Sequence, residues 1–349
     1  MTADSDIRFM RRALQIAGYA AGYARPNPMV GAVITARGRI IGQGWTQPWG
    51  GPHAEVMAVR SVCEQNRPLL REATIYVTLE PCSHYGKTPP CAQMLIDEGI
   101  PRIVVGADDP FEKVRGRGLR MLREAGREVI TGVLREECEW LNRRFMTAHR
   151  LGRPWIELKW ACTADGAAGA RTPDGKCHPL RISDPLTTAE MHADRAMADA
   201  ILIGSGTLMS DRPSLTVRHA PARSNPLRVV LDRRRRIPSE NPFGDNAEAL
   251  VITDTLPLAD IMRRLYSDHG LTSVIVEGGP TLLTAFLEAG LYDEIRTETS
   301  GRTFDQTAAS LPGAVPVYAP QLPAGLVPTE TLDLRGARIQ RFTPATTIH

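Results

Sequence analysis

The stretch GGPHAEVMAVR, residues 50–60, places a histidine and a glutamate two positions apart at the start of an apolar segment with helical spacing. Further along, TLEPCSHYGKTPPCAQ, residues 78–93, ends a strand-like run and carries two cysteines. A lone His-x-Glu pattern is weak evidence for any site. Combined with a Pro-Cys pair at a strand end and a second cysteine before a helix, it predicts that all these side chains meet at one edge of an α/β sheet.

The residue types point to zinc chemistry. Hydrolytic removal of an amine from an aromatic ring needs a water that is nucleophilic at neutral pH, and zinc with three protein ligands and one open position lowers the pKa of a bound water to about 7. His53, Cys82 and Cys91 supply one imidazole and two thiolates, which suit that metal. Glu55 stands where zinc deaminases keep a carboxylate that moves protons without ligating the metal. We therefore predict zinc on the three ligands and a catalytic Glu55.

Composition limits the remaining possibilities. The 349 residues exceed one ordinary core and favour two domains, and 42% hydrophobic with 23% charged residues is typical of a globular protein. Since no apolar run approaches the roughly 20 residues of a membrane span, we expect no membrane partner. The net charge of +3 is mild, so nucleic-acid binding has little support. We expect a cytoplasmic location, and we interpret the run DRRRR, residues 232–236, as a solvated turn after a strand.

Helix and strand patterns alternate in both halves, with a Gly-Arg-Pro junction near residue 150. The first half, 1–149, is predicted to be a three-layer α/β domain, starting with a helix over 6–23 and ending with one long helix over 135–150. The second half, 150–349, is predicted to be another α/β domain. Its last residues, about 45 in number, are rich in Pro, Thr and Ala and are expected to form strands and loops on the surface.

The cysteines outside the proposed metal set have other interpretations. Six cysteines in a long chain do not form the dense pattern of a disulfide framework. Cys63 and Cys138 lie on helix-like segments without nearby histidines and are interpreted as small buried hydrophobic residues. Cys162 and Cys177 receive no assignment.

The motifs RPNPMVGAVI, HAEV and TLEPCSHYGKTPPC together resemble the deaminase half of the bifunctional riboflavin-biosynthesis deaminase/reductase family, RibD. The eight-residue insert SHYGKTPP between the cysteines distinguishes it from most cytidine-deaminase relatives, which have two. The resemblance implies a cytidine-deaminase-like domain in which Asn27 contacts the pyrimidine and His84 and Lys87 bind the ribose phosphate. Thr46 is a departure, because many members have histidine there.

LKWACTADG, HADRAMADAILIGSGTLMSDRPSLTVR and VIVEGGPTLL resemble the reductase half of the same family, which has a dihydrofolate-reductase-like fold and uses NADPH. Residue by residue, the resemblance implies two groups. The expected NADPH contacts are Ala161, Arg181, Thr207, Asp211 and Gly279, and the expected ligands of the ribosyl substrate are Arg195, Leu215, Arg218 and Glu277. Independently of the resemblance, the glycines of EGGPTLL are expected to lie at the start of a helix, and the amino end of a helix is suited to binding a phosphate group.

Three positions depart from the family's pattern in this half. Ala167 stands where many members have lysine or arginine, Pro179 where a serine binds substrate, and Arg181 where a tryptophan is usual. Arg181 could replace aromatic stacking by a charge on the cofactor.

The sequence therefore favours a bifunctional enzyme of riboflavin biosynthesis that acts on small pyrimidine ribosyl phosphates. It would deaminate a diaminopyrimidinone ribosyl phosphate with zinc and then reduce the ribosyl chain to ribityl with NADPH. A homo-oligomer is expected. Two alternatives stay open at this point: a deaminase with a non-catalytic or degenerate second domain, and a deaminase of another nucleobase, such as a tRNA adenosine editor.

Overall fold

The structure is a computed structural model, and it describes residues 3–84, 89–111, 115–237, 242–245 and 247–345. The chain divides into two compact units, Met1–Leu151 and Gly152–His349. Across the described ranges, no helix combines the length and the apolar character that crossing a membrane requires.

The first unit is built on one sheet with helices between its strands. In chain order its elements are α1 (Ala3–Ala17), β1 (Gly31–Ala36), β2 (Arg39–Trp45), α2 (Ala54–Arg60), β3 (Thr74–Leu79), α3 (Cys91–Asp97), β4 (Arg102–Ala107), α4 (Arg117–Glu124), β5 (Glu128–Thr131), α5 (Arg135–Leu141) and α6 (Arg143–Leu151), with short 3-10 helices at Gly18–Ala20 and Glu64–Glu72.

The strand order is β2-β1-β3-β4-β5, with β1 antiparallel to both neighbours and β3, β4 and β5 parallel. Two glycines show that helices cover both faces. A Cβ on Gly31 would lie 2.0 Å from the Ala13 carbonyl oxygen of α1, and a Cβ on Gly44 would lie 2.4 Å from the Ala58 nitrogen of α2. Gly44 pairs with Ala32, and successive strand residues face opposite ways, so α1 and α2 lie on opposite faces. The predicted three-layer α/β architecture is confirmed.

Two predicted helices have different limits in the structure. The first α-helix ends at Ala17, not at residue 23, and a 3-10 turn follows it. The predicted long helix over 135–150 is wrong, because α5 and α6 are separated at Asn142. The Asn142 side chain bonds to the backbone of Met29, and this contact with a distant segment accounts for the break.

The second unit contains the longer sheet. Its elements are β6 (Trp155–Cys162), β7 (Ala167–Arg171), β8 (Cys177–Pro179), α7 (Pro185–Met197), β9 (Ala200–Gly204), α8 (Ser205–Asp211), β10 (Leu227–Leu231), β11 (Ala249–Ile252), α9 (Leu258–Ser267), β12 (Ser273–Val276), α10 (Pro280–Glu288), β13 (Glu294–Ser300), α11 (Phe304–Thr307), β14 (Val315–Tyr318), β15 (Leu326–Leu334) and β16 (Ala337–Pro344).

The main sheet has the order β11-β10-β9-β12-β6-β13-β16-β15, and its strands are parallel from β11 to β13. The chain moves outward from β9 to β11 and returns to place β12 between β9 and β6. Such a change of direction leaves a crevice at the carboxyl ends of the strands, which is where ligands bind in open α/β sheets.

The carboxyl-terminal segment is more ordered than the sequence indicated. β16 pairs with β13 along six residues and β15 pairs with β16, so both strands extend the main sheet. β14 pairs with β7 in a separate sheet of order β14-β7-β8. The interpretation of this segment as surface strands and loops was therefore wrong for β16. Its position is set by pairing with a distant strand and not by its own composition.

Candidate metal centre and cofactor cleft

The first site gathers three side chains from three parts of the first unit. His53 precedes α2, Cys82 lies three residues after β3, and Cys91 begins α3. The His53 Nδ1 atom is 3.6 Å from Cys82 Sγ and 3.4 Å from Cys91 Sγ. Within the ranges that the structure describes, this is the group of histidine, cysteine and acidic side chains that could hold a metal ion, with all donor atoms within 4.8 Å of one another.

The distances fit a zinc ion. Zinc binds histidine nitrogen at about 2.0–2.1 Å and thiolate sulfur at about 2.3 Å, so a tetrahedral arrangement separates nitrogen from sulfur by about 3.6 Å. The observed separations of 3.4 and 3.6 Å agree with that value. Three protein donors leave one position of a tetrahedron for a water or substrate atom, which is the arrangement of catalytic rather than structural zinc.

In the metal-free protein, hydrogen bonds among these three side chains shift the pKa of each of them. Hydrogen bonds from Cys91 and His53 lower the pKa of Cys82 to about 4, although burial opposes them. The hydrogen bond with Cys82, together with burial, raises the pKa of Cys91. The hydrogen bond with Cys82 also raises the pKa of His53 to about 9. Zinc binding therefore has to displace protons from this group, so zinc affinity is expected to fall at low pH.

Glu55 lies in the first turn of α2 and is 3% exposed. Burial raises its pKa to about 7, and the neighbouring Cys82 charge adds to the effect. A carboxyl group with a pKa near neutrality can accept a proton and return it in the same reaction cycle. The structure therefore places beside the ligand set a group suited to proton transfer.

The predicted substrate contacts of the deaminase lie on loops. Asn27 is half-buried ahead of β1, and His84 is exposed two residues after Cys82. Lys87 lies outside the described residues. Thr46, noted as a departure, is buried, and its hydroxyl accepts a hydrogen bond from Val30 N at 2.9 Å, so its observed contact is with the chain itself.

Asn142 is a residue that the sequence analysis missed. Its side chain is buried, its Oδ1 accepts from Met29 N at 2.8 Å, and its Nδ2 donates to Met29 O at 2.9 Å. Met29 is two residues from Asn27, so this clamp fixes the loop that carries the predicted pyrimidine contact. The sequence signal was an asparagine inside an otherwise helical run, where asparagine is unfavourable.

Asn142→Ala is expected to remove both hydrogen bonds and to destabilise the fold by about 2 kcal/mol, because two backbone groups lose their partners. The deaminase KM should rise through movement of the Asn27 loop. Thermal unfolding and ammonia release measure the two effects, with Asn66→Ala on the 3-10 helix as the control. An Asn142→Ala protein with unchanged stability and unchanged KM would contradict the clamp.

The second site is a cleft of about 1080 Å³ in the second unit. It lies at the carboxyl ends of the central strands, where Ala161, Gly204, Leu231 and Glu277 line it. Its volume slightly exceeds the roughly 300–1,000 Å³ of single-ligand pockets, which allows for a cofactor together with a substrate. Among its described lining residues, seven are Lys or Arg and two are Asp or Glu, so the cleft favours anionic ligands.

Most predicted reductase residues meet in this cleft. Those that line it are Ala161, Arg181, Thr207, Asp211, Arg218, Glu277 and Gly279. Gly279 has φ +55° at the start of α10, and a Cβ there would lie 2.9 Å from Thr207 Oγ1. This backbone cradle at a helix amino end suits a phosphate group and thereby fits NADPH. Arg195 and Leu215 are buried and are not among the lining residues.

Arg195 has a structural partner instead. Its Nε and Nη2 each donate to the Glu277 carboxylate at 2.7 Å, and its Nη1 donates to Thr216 O at 3.3 Å. Burial alone would raise the pKa of Glu277, but Arg195 and Lys159 outweigh it and bring that pKa to about 2. Glu277 is therefore a fixed, ionised hydrogen-bond acceptor on the cleft wall.

Lys159 is a second residue that the sequence analysis missed. It lines the cleft, interacts electrostatically with Glu277, and has a pKa lowered by burial. The available signal was a lysine inside the apolar strand WIELKWAC, where a charged residue needs a partner or a function.

The departures from the family pattern differ in position. Pro179 and Arg181 line the cleft, whereas Ala167 is buried in an apolar cluster with Ala170 and Phe304.

Of the two cysteines predicted to be buried, one is buried and one is exposed. Cys138 is buried, as expected, but Cys63 is exposed, so that interpretation was wrong. All six cysteines are free thiols.

The two units match two sequence families. Residues 3–107 match the cytidine and deoxycytidylate deaminase zinc-binding region, and residues 154–299 match the RibD C-terminal domain. The riboflavin biosynthesis protein RibD of Aquifex aeolicus (strain VF5) is 37% identical over 317 residues, covering 84% of this chain and 86% of that protein. The chain belongs to the RibD family.

Other RibD proteins agree with this assignment. RibD of Escherichia coli (strain K12) is 37% identical over 324 residues, covering 83% of this chain and 86% of that protein. The Acinetobacter baumannii RibD structure has a TM-score of 0.85 at 30% identity and covers 99% of this chain and 100% of that one. A Thermotoga maritima diaminohydroxyphosphoribosylaminopyrimidine deaminase/5-amino-6-(5-phosphoribosylamino)uracil reductase has a TM-score of 0.84 at 33% identity, covering 98% and 99%.

Membership of the RibD family confirms the predicted fold class and the bifunctional deaminase/reductase. Zinc and NADPH are the cofactors of the two activities. A degenerate second domain and a deaminase of another nucleobase are both disfavoured.

Proposed function

We propose that the first unit removes the ring amine of a diaminopyrimidinone ribosyl phosphate and that the second unit reduces the ribosyl group of the product to ribityl. The observation that best supports the first step is the His53, Cys82 and Cys91 group, with donor atoms at zinc-like separations and a buried Glu55 beside it. The basic cleft with the Gly279 cradle supports the second step.

In the deaminase, the proposed chemistry is exchange of an exocyclic amine for oxygen. Zinc held by the three ligands supplies a water of lowered pKa. Glu55 would accept one proton from the attacking water while the water oxygen bonds to the ring carbon that carries the amine, and would pass this proton and the second proton of the water to the amine nitrogen. The carbon–nitrogen bond would then break, leaving the ring carbonyl and free ammonia. Asn27 holds the pyrimidine, while His84 and Lys87 hold the ribose phosphate.

In the reductase, NADPH supplies the hydride that converts the cyclic ribosyl group into the open ribityl chain. Glu277, kept ionised and oriented by Arg195, accepts hydrogen bonds from ribosyl hydroxyls. Lys159 is the candidate donor of the proton that the opened ring oxygen needs. Arg218, which lines the cleft, binds the substrate phosphate. Leu215 is buried in an apolar cluster and has no direct part in this step.

Steady-state NADPH oxidation, with the deaminated intermediate supplied directly, tests the second step. Arg218→Ala should raise the KM for the intermediate by about 10- to 100-fold, through loss of a charge-assisted phosphate contact of about 1.5–3 kcal/mol. Ammonia release by the same variant should be unchanged, because Arg218 belongs to the second unit.

Arg223→Ala is the matched control, since Arg223 is exposed in the same unit and does not line the cleft. Its KM should equal that of the unsubstituted protein. If the unsubstituted protein deaminates normally but oxidises no NADPH with the intermediate, the second unit is a binding or degenerate domain and the proposal fails.

The cellular setting follows the same reasoning. Six free thiols support a reducing compartment, and we propose the cytoplasm. The small-molecule substrates leave no role for nucleic acid or membrane in the proposed reaction. Homo-oligomer formation stays a prediction, which sedimentation at several protein concentrations would check.

A further inference from the structure

His192 is a fully buried histidine of α7 that the proposed reductase chemistry does not use. Its Nδ1 atom accepts a hydrogen bond from the backbone N–H of Arg218 at 3.1 Å. Arg218 is the residue assigned to the substrate phosphate, and its side chain is exposed and lines the cleft. A buried ring therefore holds the backbone of a residue whose side chain faces the cleft.

Residues 212–219, called here the substrate loop, are bound to one face of α7 at two points. Arg195 lies three residues after His192, and residues at this spacing are neighbours on a helix surface. Arg195 Nη1 donates to Thr216 O at 3.3 Å, two residues before the Arg218 N–H that His192 accepts. This face of α7 therefore fixes the part of the substrate loop that carries Arg218.

The backbone of the substrate loop needs such support. Leu215 has φ +51°, in the left-handed region that is unfavourable for a leucine, and such a conformation persists only where the surrounding contacts hold it. Beyond it, Arg218 Nη1 donates to Thr216 Oγ1 at 2.8 Å and to Ser214 Oγ. A guanidinium has five N–H donors, so these bonds orient the side chain and leave donors for a phosphate.

The direction of the hydrogen bond to Arg218 fixes the proton of the His192 ring. A backbone N–H only donates, so Nδ1 must be unprotonated, and the neutral ring carries its proton on Nε2. Burial lowers the pKa of His192 to about 4, and the charges of Arg195 and Arg218 add to the effect. The ring is therefore neutral at pH 7, as this hydrogen bond requires.

The other ring nitrogen shows what distinguishes histidine at this position from an apolar residue. Nε2 of His192 is buried and has no hydrogen-bond partner among the residues that the structure describes. A buried donor without a partner opposes folding, whereas an apolar side chain would leave no polar atom unpaired. The acceptor at Nδ1 is therefore the property that a histidine supplies here.

We propose that His192 is a positioning residue of the reductase, which holds the Arg218 backbone so that the Arg218 guanidinium meets the phosphate of the substrate. The proposal rests on the proposed reductase function, because it explains how the phosphate contact of that function is held in place. His192 does not itself line the cleft, so it acts through Arg218.

Steady-state NADPH oxidation by the full-length protein, with the deaminated intermediate supplied, tests this role with two amide variants. His192→Asn keeps an acceptor at the same number of bonds from the backbone as Nδ1, whereas His192→Gln places its acceptor one bond further away. His192→Gln should raise the KM for the intermediate by about 5- to 10-fold, as loss of one hydrogen bond predicts, with kcat within about two-fold. His192→Asn should keep the KM within about two-fold.

The Arg218→Ala background separates positioning from a general structural role. The phosphate contact is already lost there, so His192→Gln should change the KM by less than about two-fold, whereas independent effects would multiply. The Kd for NADPH, measured by calorimetry, should be the same in His192→Gln and in the unsubstituted protein.

His269→Ala is the matched control, because His269 is an exposed histidine of the same unit and does not line the cleft. Its KM and kcat should equal those of the unsubstituted protein. Thermal unfolding shows whether each variant is folded. Should His192→Gln fail to fold, nitrogen-15 NMR of the histidines in the unsubstituted protein decides: the proposal requires the His192 proton on Nε2, and a proton on Nδ1 overturns it.

The outcomes separate the two proposals. Equal KM values for His192→Asn and His192→Gln, or effects of His192→Gln and Arg218→Ala that multiply, overturn the positioning role while the reductase function stands. If Arg218→Ala leaves the KM unchanged, the phosphate assignment of Arg218 fails, and the role of His192 fails with it. If the unsubstituted protein oxidises no NADPH with the intermediate, the reductase function itself fails.

Discussion

Cys82→Ser is expected to reduce the zinc content from about one ion per chain to nearly none and to abolish ammonia release, because a catalytic zinc has only three protein ligands. A serine hydroxyl is not ionised at neutral pH and replaces a thiolate poorly. Cys82 is also the sulfur that stays ionised most easily in this group, with a pKa of about 4. Its loss therefore removes the strongest anionic donor of the site.

Metal analysis by mass spectrometry and an ammonia assay measure the two effects. Cys63→Ser is the matched control, because Cys63 is an exposed free thiol in the same unit and lies outside the metal group. That variant should keep its zinc and its activity. A Cys82→Ser protein that retains a full complement of zinc would contradict the ligand assignment.

The metal group could be predicted from sequence because its evidence is local. Three short motifs each contain a chemically restrictive residue type, and the strand and helix ends around them follow from periodicity. His53, Cys82 and Cys91 accordingly come together in the structure as expected. Their roles need few neighbours to be recognised, because imidazole and thiolate are selective for a small number of metals.

The missed features depend on contacts between distant segments. Asn142 ends a helix because it bonds to Met29, which is 113 residues away in sequence. β16 joins the main sheet through pairing with β13, and no periodicity in β16 alone identifies that partner. A helix or strand pattern reports which face of an element is buried, but not which element covers it.

The cleft shows the same limit for charged residues. In the sequence, Lys159 is a single cation in an apolar strand. Its role can be inferred only from the structure, where it interacts electrostatically with Glu277. The sequence predicts that the four arginines at residues 233–236 form a solvated turn, since such charge runs usually face solvent. All four are exposed, and Arg233, Arg234 and Arg236 also line the cleft. The sequence analysis interpreted these arginines only as solvent-exposed, whereas the fold leaves them exposed and also places three of them at the cleft.

Glu55→Gln is expected to lower the rate of deamination at least ~10²-fold while the zinc content stays unchanged, since that is the usual effect of removing a general acid/base. Glutamine keeps the size and much of the hydrogen bonding of glutamate, but it cannot take a proton from water. Because Glu55 is buried and its pKa is raised to about 7, the neutral amide also avoids the free-energy cost of a buried charge. The variant should therefore unfold at a temperature no lower than that of the unsubstituted protein.

Single-turnover ammonia release, zinc analysis and thermal unfolding together separate this role from a structural one. Glu64→Gln is the control, because Glu64 is an exposed glutamate of the same unit and is not in the metal group; it should leave all three readouts unchanged. The reduction of supplied intermediate by Glu55→Gln should also be normal, because Glu55 belongs to the first unit and the reductase residues to the second. Loss of activity together with loss of zinc would instead make Glu55 a support for the ligands, and near-normal deamination would make it a buried carboxyl group with no part in the reaction.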